Sequence, residues 1–171
     1  MICKVTDFGF AKALEQDQKE TLSLGTPLYM APELAQRHPY DSKVDIWALG
    51  VLIHIILAGV APFPGKDSKR IFRGILNDVP SLAEFSKYHQ QGKFVKDFIK
   101  KCLTKNAQDR ATAEELLQHP WIKIMVDQES VDSEQKIDIA LNIYTFKKAS
   151  LLQSSVIAFL SRLKSNNEEL A

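Results

Sequence analysis

The side chains with the most evident chemistry lie near the start of the chain, in two short runs separated by a polar loop. The runs are Asp7-Phe8-Gly9 and Gly25-Thr26-Pro27-Leu28-Tyr29-Met30-Ala31-Pro32-Glu33. The carboxylate of Asp7 is the kind of oxygen ligand that Mg²⁺ takes, and the alternative is a turn residue that ends a strand. In the loop between the runs, Thr21 and Ser23 are candidate phosphate acceptors, and the alternative is simple loop hydroxyls.

The elements that must position these runs are predicted from hydrophobic periodicity. Residues 2–6 alternate apolar and polar side chains, which indicates one short strand. A helix is predicted over 43–58, with Asp41-Ser42 as its cap and Gly59 at its end; it is apolar nearly all round, which is typical of a core helix. Further helices are predicted after Asp67-Ser68, over 94–103, and after Thr112, which forms a capping-box pattern with Glu115. We therefore expect a mainly α fold with a short β segment at the N-terminus and a helical tail at the C-terminus.

Composition and charge narrow the classes of partner. The chain has 171 residues, a net charge of +1 and 45% apolar residues, so nothing steers it toward nucleic acid. The lysines between 93 and 105 suit the solvated face of an amphipathic helix better than a binding patch. The apolar run 51–60 is too short to span a membrane. The two cysteines have no metal-ligand spacing, which favours an intracellular, cytoplasmic protein.

Several spaced motifs together resemble a eukaryotic protein kinase domain. Besides the two opening runs, they are Asp45-Ile46-Trp47-Ala48-Leu49-Gly50, Ala61-Pro62-Phe63-Pro64-Gly65, Asp109-Arg110-Ala111-Thr112 and His119-Pro120-Trp121. Gly-Thr-Pro before Tyr-Met-Ala-Pro-Glu is similar to the serine/threonine branch. The resemblance covers residues 1 to about 122 and implies the C-terminal lobe of the domain, from the activation segment onward. We assign residues 1–126 to this partial domain, 127–136 to a linker and 137–171 to a helical junction segment.

The resemblance implies a role for each matching residue. Asp7 would bind the Mg²⁺ that bridges the ATP phosphates, and Phe8, Gly9, Thr21 and Ser23 would belong to the activation segment. Gly25, Thr26, Pro27 and Tyr29 would form the platform for the protein substrate. Glu33 would pair with Arg110, and Asp45, Trp47 and Gly50 would be structural residues of the central helix.

Other catalytic motifs of the family do not occur in residues 10–171. The sequence there contains no Gly-rich phosphate loop and no His-Arg-Asp catalytic loop. No catalytic residue is therefore assigned within the chain, and we expect the isolated chain to be inactive and to bind ATP and Mg²⁺ poorly. The sequence leaves two interpretations open. One is a piece of a calcium-dependent serine/threonine kinase, and the other is a non-catalytic binding module or remnant that engages substrates or a calcium sensor.

The tail resembles the junction segment of calcium-dependent protein kinases, in which a helix docks with an EF-hand domain. It is a basic amphipathic segment with apolar anchors at Phe146, Leu152 and Phe159. We therefore predict a calcium-sensor partner for residues 137–171. The alternative is an ordinary helix packed on the surface of the chain's own domain.

Overall fold

The computed structural model describes residues 8–9, 11–14, 19–21, 25–85, 92–127 and 139–146. These residues are mainly helical, which confirms the predicted fold class, and they contain no extended strand beyond an isolated antiparallel bridge between Glu20 and Tyr40. The predicted strand over 2–6 lies outside the described residues. The 3₁₀ helix η1 is Pro27–Tyr29, and the α-helices are α1 Pro32–Ala35, α2 Lys43–Ala58, α3 Ser68–Asn77, α4 Gly92–Cys102, α5 Ala113–Leu117 and α6 Pro120–Asp127.

The central helix α2 has the bounds that the sequence predicts. Asp41 starts it by accepting a hydrogen bond from the Lys43 N–H at 2.9 Å, whereas Ser42 makes no side-chain cap bond. Gly59 ends it in the left-handed conformation, with φ of 76°, which glycine adopts without steric penalty. Helix α2 is a core helix, as its apolar sequence predicts, although Leu49 and Leu52 are 38% and 43% exposed.

Helix α4 packs across the middle of α2, and this crossing forms the centre of the lobe. The approach is close at Gly50, where an added Cβ would lie 2.5 Å from the Cβ of Cys102. Buried side chains of both helices surround the crossing; they include Val51, Ile55, Val95, Ile99 and Leu103. Gly50 is therefore a packing glycine, as expected of a structural residue.

The shorter helices begin where the sequence places their caps. Asp67 accepts a hydrogen bond from the Arg70 N–H at the start of α3, at 2.8 Å. Thr112 and Glu115 form both bonds of a capping box at the start of α5, at 3.2 and 2.8 Å. These side chains satisfy backbone donors that a helix leaves unpaired at its N-terminus.

Part of the C-terminal tail is also described. Residues 139–146 are helical, and we call them the tail helix. Its Ile139 and Phe146 pack against the core cluster formed by α2 and its neighbours. None of the helices in the described parts of the chain is both long enough and apolar enough to cross a membrane.

Candidate functional site

The segment 25–30 forms a short platform directly before α1. Gly25 has a φ of 117°, which disfavours any residue with a Cβ, although the space around it is open. The η1 turn follows, closed by the Tyr29 N–H bonding to the Thr26 carbonyl at 3.0 Å. Thr26 is exposed, and its hydroxyl makes no capping bond to η1. Because η1 contacts both α2 and α3, the predicted substrate platform rests on the helices that form the core.

A buried ion pair fixes the end of this platform to the rest of the lobe. The Arg110 guanidinium donates to both carboxylate oxygens of Glu33, at 2.8 and 3.0 Å. The two residues lie 77 positions apart in sequence, and the Arg110 side chain has no exposed surface. Planar bidentate geometry is the strong form of this interaction.

Arg110 also binds three backbone carbonyls. Its Nε donates to Thr104 O at 2.9 Å, and its terminal nitrogens donate to Lys43 O at 2.9 Å and Lys105 O at 3.2 Å. With the two bonds to Glu33, all five N–H groups of the guanidinium are used. The side chain therefore joins α1, the first turn of α2 and the loop after α4.

Trp47 completes this cluster. Its ring is fully buried, lies 5.2 Å from the Arg110 guanidinium carbon, and stacks on Phe63 with 5.7 Å between ring centroids. The indole N–H has no hydrogen-bond partner among the described residues, so packing is what Trp47 contributes here. Asp45, in contrast, is exposed in the first turn of α2.

The described part of the activation segment lies beside the loop that precedes α2. Glu20 and Tyr40 exchange backbone bonds at 2.8 and 2.9 Å, and the Glu20 carboxylate pairs with Lys12. The hydrogen bond that Lys12 donates to Glu20, and then the negative charge of Glu20, raise the pKa of Lys12. Burial, and then the charge of Glu20, raise the pKa of Tyr40. Thr21 is exposed next to this bridge.

Of the other residues predicted for the activation segment, the structure describes Phe8 and Gly9. Phe8 is 68% exposed and Gly9 lies in a turn. Asp7 and Ser23 lie outside the described residues. Their roles stay predictions.

Two buried histidines were not singled out from the sequence as site residues. His54 of α2 lies with Nδ1 2.9 Å from Val60 O and Nε2 3.0 Å from Ser81 O. The Trp121 N–H donates to Nδ1 of His119, so the His119 proton lies on Nε2 and is directed at Asp97 Oδ2, 3.0 Å away. For His54, the sequence signal was a histidine within an apolar helix. Its partner Ser81 O lies 27 positions away and could not be predicted from that signal.

The residues that the structure describes do not complete a site for ATP and Mg²⁺. Among them, no group of three or more His, Cys, Asp or Glu side chains could hold a metal ion. The single ligand predicted from the sequence, Asp7, lies outside them. We therefore derive no reaction step through the nucleotide or the metal.

The structure describes one of the three apolar anchors predicted for the tail. Phe146 is half-buried against the lobe's own core, as in the alternative that the sequence left open. Leu152 and Phe159 lie outside the described residues. A sensor that used Phe146 would have to remove it from this contact.

Comparison with known proteins gives consistent matches. The family model described as "Protein kinase domain" matches residues 1–122. Serine/threonine-protein kinase 17A of Oryctolagus cuniculus is 37% identical over 119 residues, covering 70% of this chain and 30% of that protein. Calcium-dependent protein kinase 29 of Arabidopsis thaliana is 32% identical over 165 residues, covering 96% and 30%. The delta subunit of calcium/calmodulin-dependent protein kinase type II of Oryctolagus cuniculus is 38% identical over 146 residues, covering 79% and 27%.

The chain spans about 30% of the length of these curated relatives. Its family-model match takes in the platform, the Glu33–Arg110 pair and the α2–α4 core, and its relatives include serine/threonine kinases, some of them named as calcium-dependent. On these matches, the chain belongs to the protein kinase family.

Proposed function

We propose that this chain is the substrate-binding, C-terminal part of a kinase that transfers phosphate from ATP to serine or threonine residues of proteins. In this proposal Gly25, Thr26, Pro27 and Tyr29 bind the substrate chain, and Asp7 binds Mg²⁺ together with groups that residues 10–171 do not supply. Kinase catalysis depends mostly on positioning and charge neutralisation, so a rigid substrate platform is a direct contribution to the rate.

The observation that carries the proposal is the attachment of the platform. The turn 25–29, exposed at Gly25 and Thr26, is followed closely by α1. Helix α1 is held by the bidentate Glu33–Arg110 pair, and Arg110 is also bonded to the first turn of α2. A surface segment is thus fixed to the buried core at both its η1 and α1 contacts. This suits a surface that must hold an extended peptide in one position.

The test is phosphate transfer by the complete protein that contains this chain. Purified protein with Mg²⁺ and radiolabelled ATP should phosphorylate serine/threonine peptides and leave matched tyrosine peptides unlabelled. Asp7→Asn should lower this rate roughly a hundredfold or more, because it removes a charge placed at the reacting phosphates. Asp78→Asn, which changes an exposed carboxylate of the Arg70–Asp78 pair, is the matched control and should keep the rate.

Two outcomes would contradict the proposal. One is transfer to tyrosine peptides, and the other is binding of serine/threonine peptides without any phosphate transfer. The second result would favour the non-catalytic binding module.

We further propose that the kinase is calcium-regulated through residues 137–171. The support is that similarity to calcium-dependent protein kinase 29 extends over 165 residues, well past residue 122 where the family-model match ends. An EF-hand protein immobilised on resin should retain the complete protein with calcium and release it with chelator. Phe159→Ala should weaken retention, and Asp78→Asn should not. Equal retention with and without calcium would count against the regulatory proposal while leaving the kinase proposal intact.

A further inference from the structure

The C-terminal end of α2 presents backbone carbonyls that the helix itself does not satisfy. A helix leaves its last four carbonyls without intrahelical donors. At α2 the Gly59 N–H bonds to Ile55 O at 2.8 Å, and Gly59 then turns the chain away in the left-handed conformation. The carbonyls of Ile56 and Leu57 both accept from a donor outside the helix.

Asn142 of the tail helix supplies that donor. Its Nδ2 amide lies 2.8 Å from Leu57 O and 3.2 Å from Ile56 O, so both amide protons are used. The residues involved are separated by 85 and 86 positions in sequence. A side chain from a distant segment thus completes the end of the central helix.

The apolar contacts of the tail helix lie on the same face as Asn142. Ile139 and Phe146 pack against the core cluster, and they are three positions before and four positions after Asn142, which places all three on one side of a helix. The outer face is exposed, with Leu141 and Tyr144 56% and 64% accessible. The tail helix therefore touches the lobe along one stripe whose middle is polar.

We propose that the end of α2 is a specific docking site for the chain's own tail helix, and that Asn142 determines the docked position. Apolar packing is non-directional and would tolerate a shift of the tail helix by one turn, whereas two amide bonds to two fixed carbonyls do not. The partner must carry two donors on that stripe, and a carboxylate is excluded because the partial negative charge at a helix C-terminus repels it.

Gly59 supports the same assignment. A Cβ at this position would lie 3.0 Å from Asn142 Oδ1 and 3.5 Å from Asn142 Cα, so the tail helix approaches to the point where a side chain would intrude. The glycine thus serves both the backbone turn and the close approach of the tail. The inference does not depend on the proposed kinase activity or on a calcium sensor.

Hydrogen exchange of backbone amides in the complete protein tests the proposal. Asn142→Asp replaces the donating NH₂ with an oxygen of similar shape, and it should lower the protection of amides 143–146 at least tenfold. Protection within α4 should stay as in the unchanged protein. Asn77→Asp is the matched control, because Asn77 Nδ2 also donates to a helix carbonyl, Arg73 O at 3.0 Å, but within its own helix. It should leave the tail amides unchanged.

Asn142→Ala keeps the test decisive if the aspartate variant fails to fold, since it removes the donors without adding charge. The expected order of tail protection is unchanged protein, then Asn142→Ala, then Asn142→Asp. Tail protection equal to that of the unchanged protein in the alanine variant would overturn the proposal. So would a tail that is unprotected before any substitution.

Discussion

Both ends of α2 are bound by side chains from distant parts of the sequence, yet by different chemistry. At the N-terminal end, the charged and fully buried Arg110 binds Lys43 O, two loop carbonyls and Glu33. At the C-terminal end, the neutral and half-buried Asn142 donates to the carbonyls of Leu57 and Ile56.

The difference shows which contact is permanent and which is exchangeable. Removing a partner from the Arg110 cluster leaves a buried charge without compensation, so that cluster is present only if the lobe is folded. Removing the tail helix from α2 exposes carbonyls at the surface, where water can replace the amide at small net cost. The platform end of α2 therefore suits a fixed support, and the tail end suits a contact that forms and breaks.

The largest expected effect is at the N-terminal end. Glu33→Gln should lower the free energy of unfolding by about 3–5 kcal/mol, because Arg110 stays charged and loses its buried counter-ion. Urea unfolding followed by circular dichroism measures this. Asp78→Asn, which breaks the exposed Arg70–Asp78 pair, should change it by about 1 kcal/mol or less. Similar values for the two variants would show that the Arg110 cluster is no stronger than a surface pair.

The second-largest effect on the free energy of unfolding is expected in the middle of α2. Gly50→Ala places a Cβ 2.5 Å from that of Cys102, so overpacking should lower the free energy of unfolding by roughly 1–3 kcal/mol. Gly74→Ala in α3 is the control: its nearest neighbours are 3.3 Å away or more, and alanine favours a helix by up to about 1 kcal/mol. A neutral Gly50→Ala would mean that α2 and α4 can separate freely.

The buried thiol of Cys102, at the crossing of α2 and α4, should make the free energy of unfolding depend on pH in the alkaline range. Burial raises the pKa of the Cys102 thiol from 9.0 to about 12, so the folded state retains a proton that the unfolded state loses. This stabilisation is complete below pH 9 and is lost as the pH rises from 9 toward 12, by up to about 1.4 kcal/mol per pH unit. Cys102→Ala should reduce the difference between the urea midpoints measured at pH 8.5 and at pH 10.5. An equal change in urea midpoint in the unchanged protein and in Cys102→Ala would exclude Cys102 as the source of the pH dependence.

The smallest effect is expected at the C-terminal end of α2. Asn142→Ala should lower the global free energy of unfolding by no more than about 1.5 kcal/mol, because water replaces the lost donors. Urea unfolding of the Asn142→Ala and Glu33→Gln proteins, compared side by side, measures the contrast directly. A loss at Asn142 as large as that at Glu33 would abolish the distinction between a fixed and an exchangeable end.

Sequence patterns were most reliable where the cause is local. The bounds of α2, the Asp67 cap of α3 and the capping box of α5 were predicted, because each depends on residues within a few positions of one another. The prediction of a core helix for α2 was confirmed, but periodicity did not show that Leu49 and Leu52 are partly exposed, since it does not tell how many neighbours a helix has.

In the candidate site, too, the motif residues were predicted, and their contacts with distant residues outside the motifs were not. The family motifs supplied Glu33 and Arg110 as partners, but the three carbonyls that Arg110 binds could not be predicted, because backbone oxygens leave no pattern in a sequence. Phe146 was predicted as a sensor anchor from the basic amphipathic pattern of the tail and its resemblance to a junction segment, and the structure places it against the core. Asn142 was not singled out, since one asparagine in a helical segment has no distinguishing spacing.

Sequence patterns were enough to identify the kinase family, the helical class, the bounds of α2 and the caps of α3 and α5, because motifs and caps depend on neighbouring residues. The fold supplied the distant donors that bind carbonyls at the two ends of α2, from 67 and 85 positions away. The physical reason is that a carbonyl oxygen accepts any donor of suitable geometry, without specifying which part of the chain supplies it.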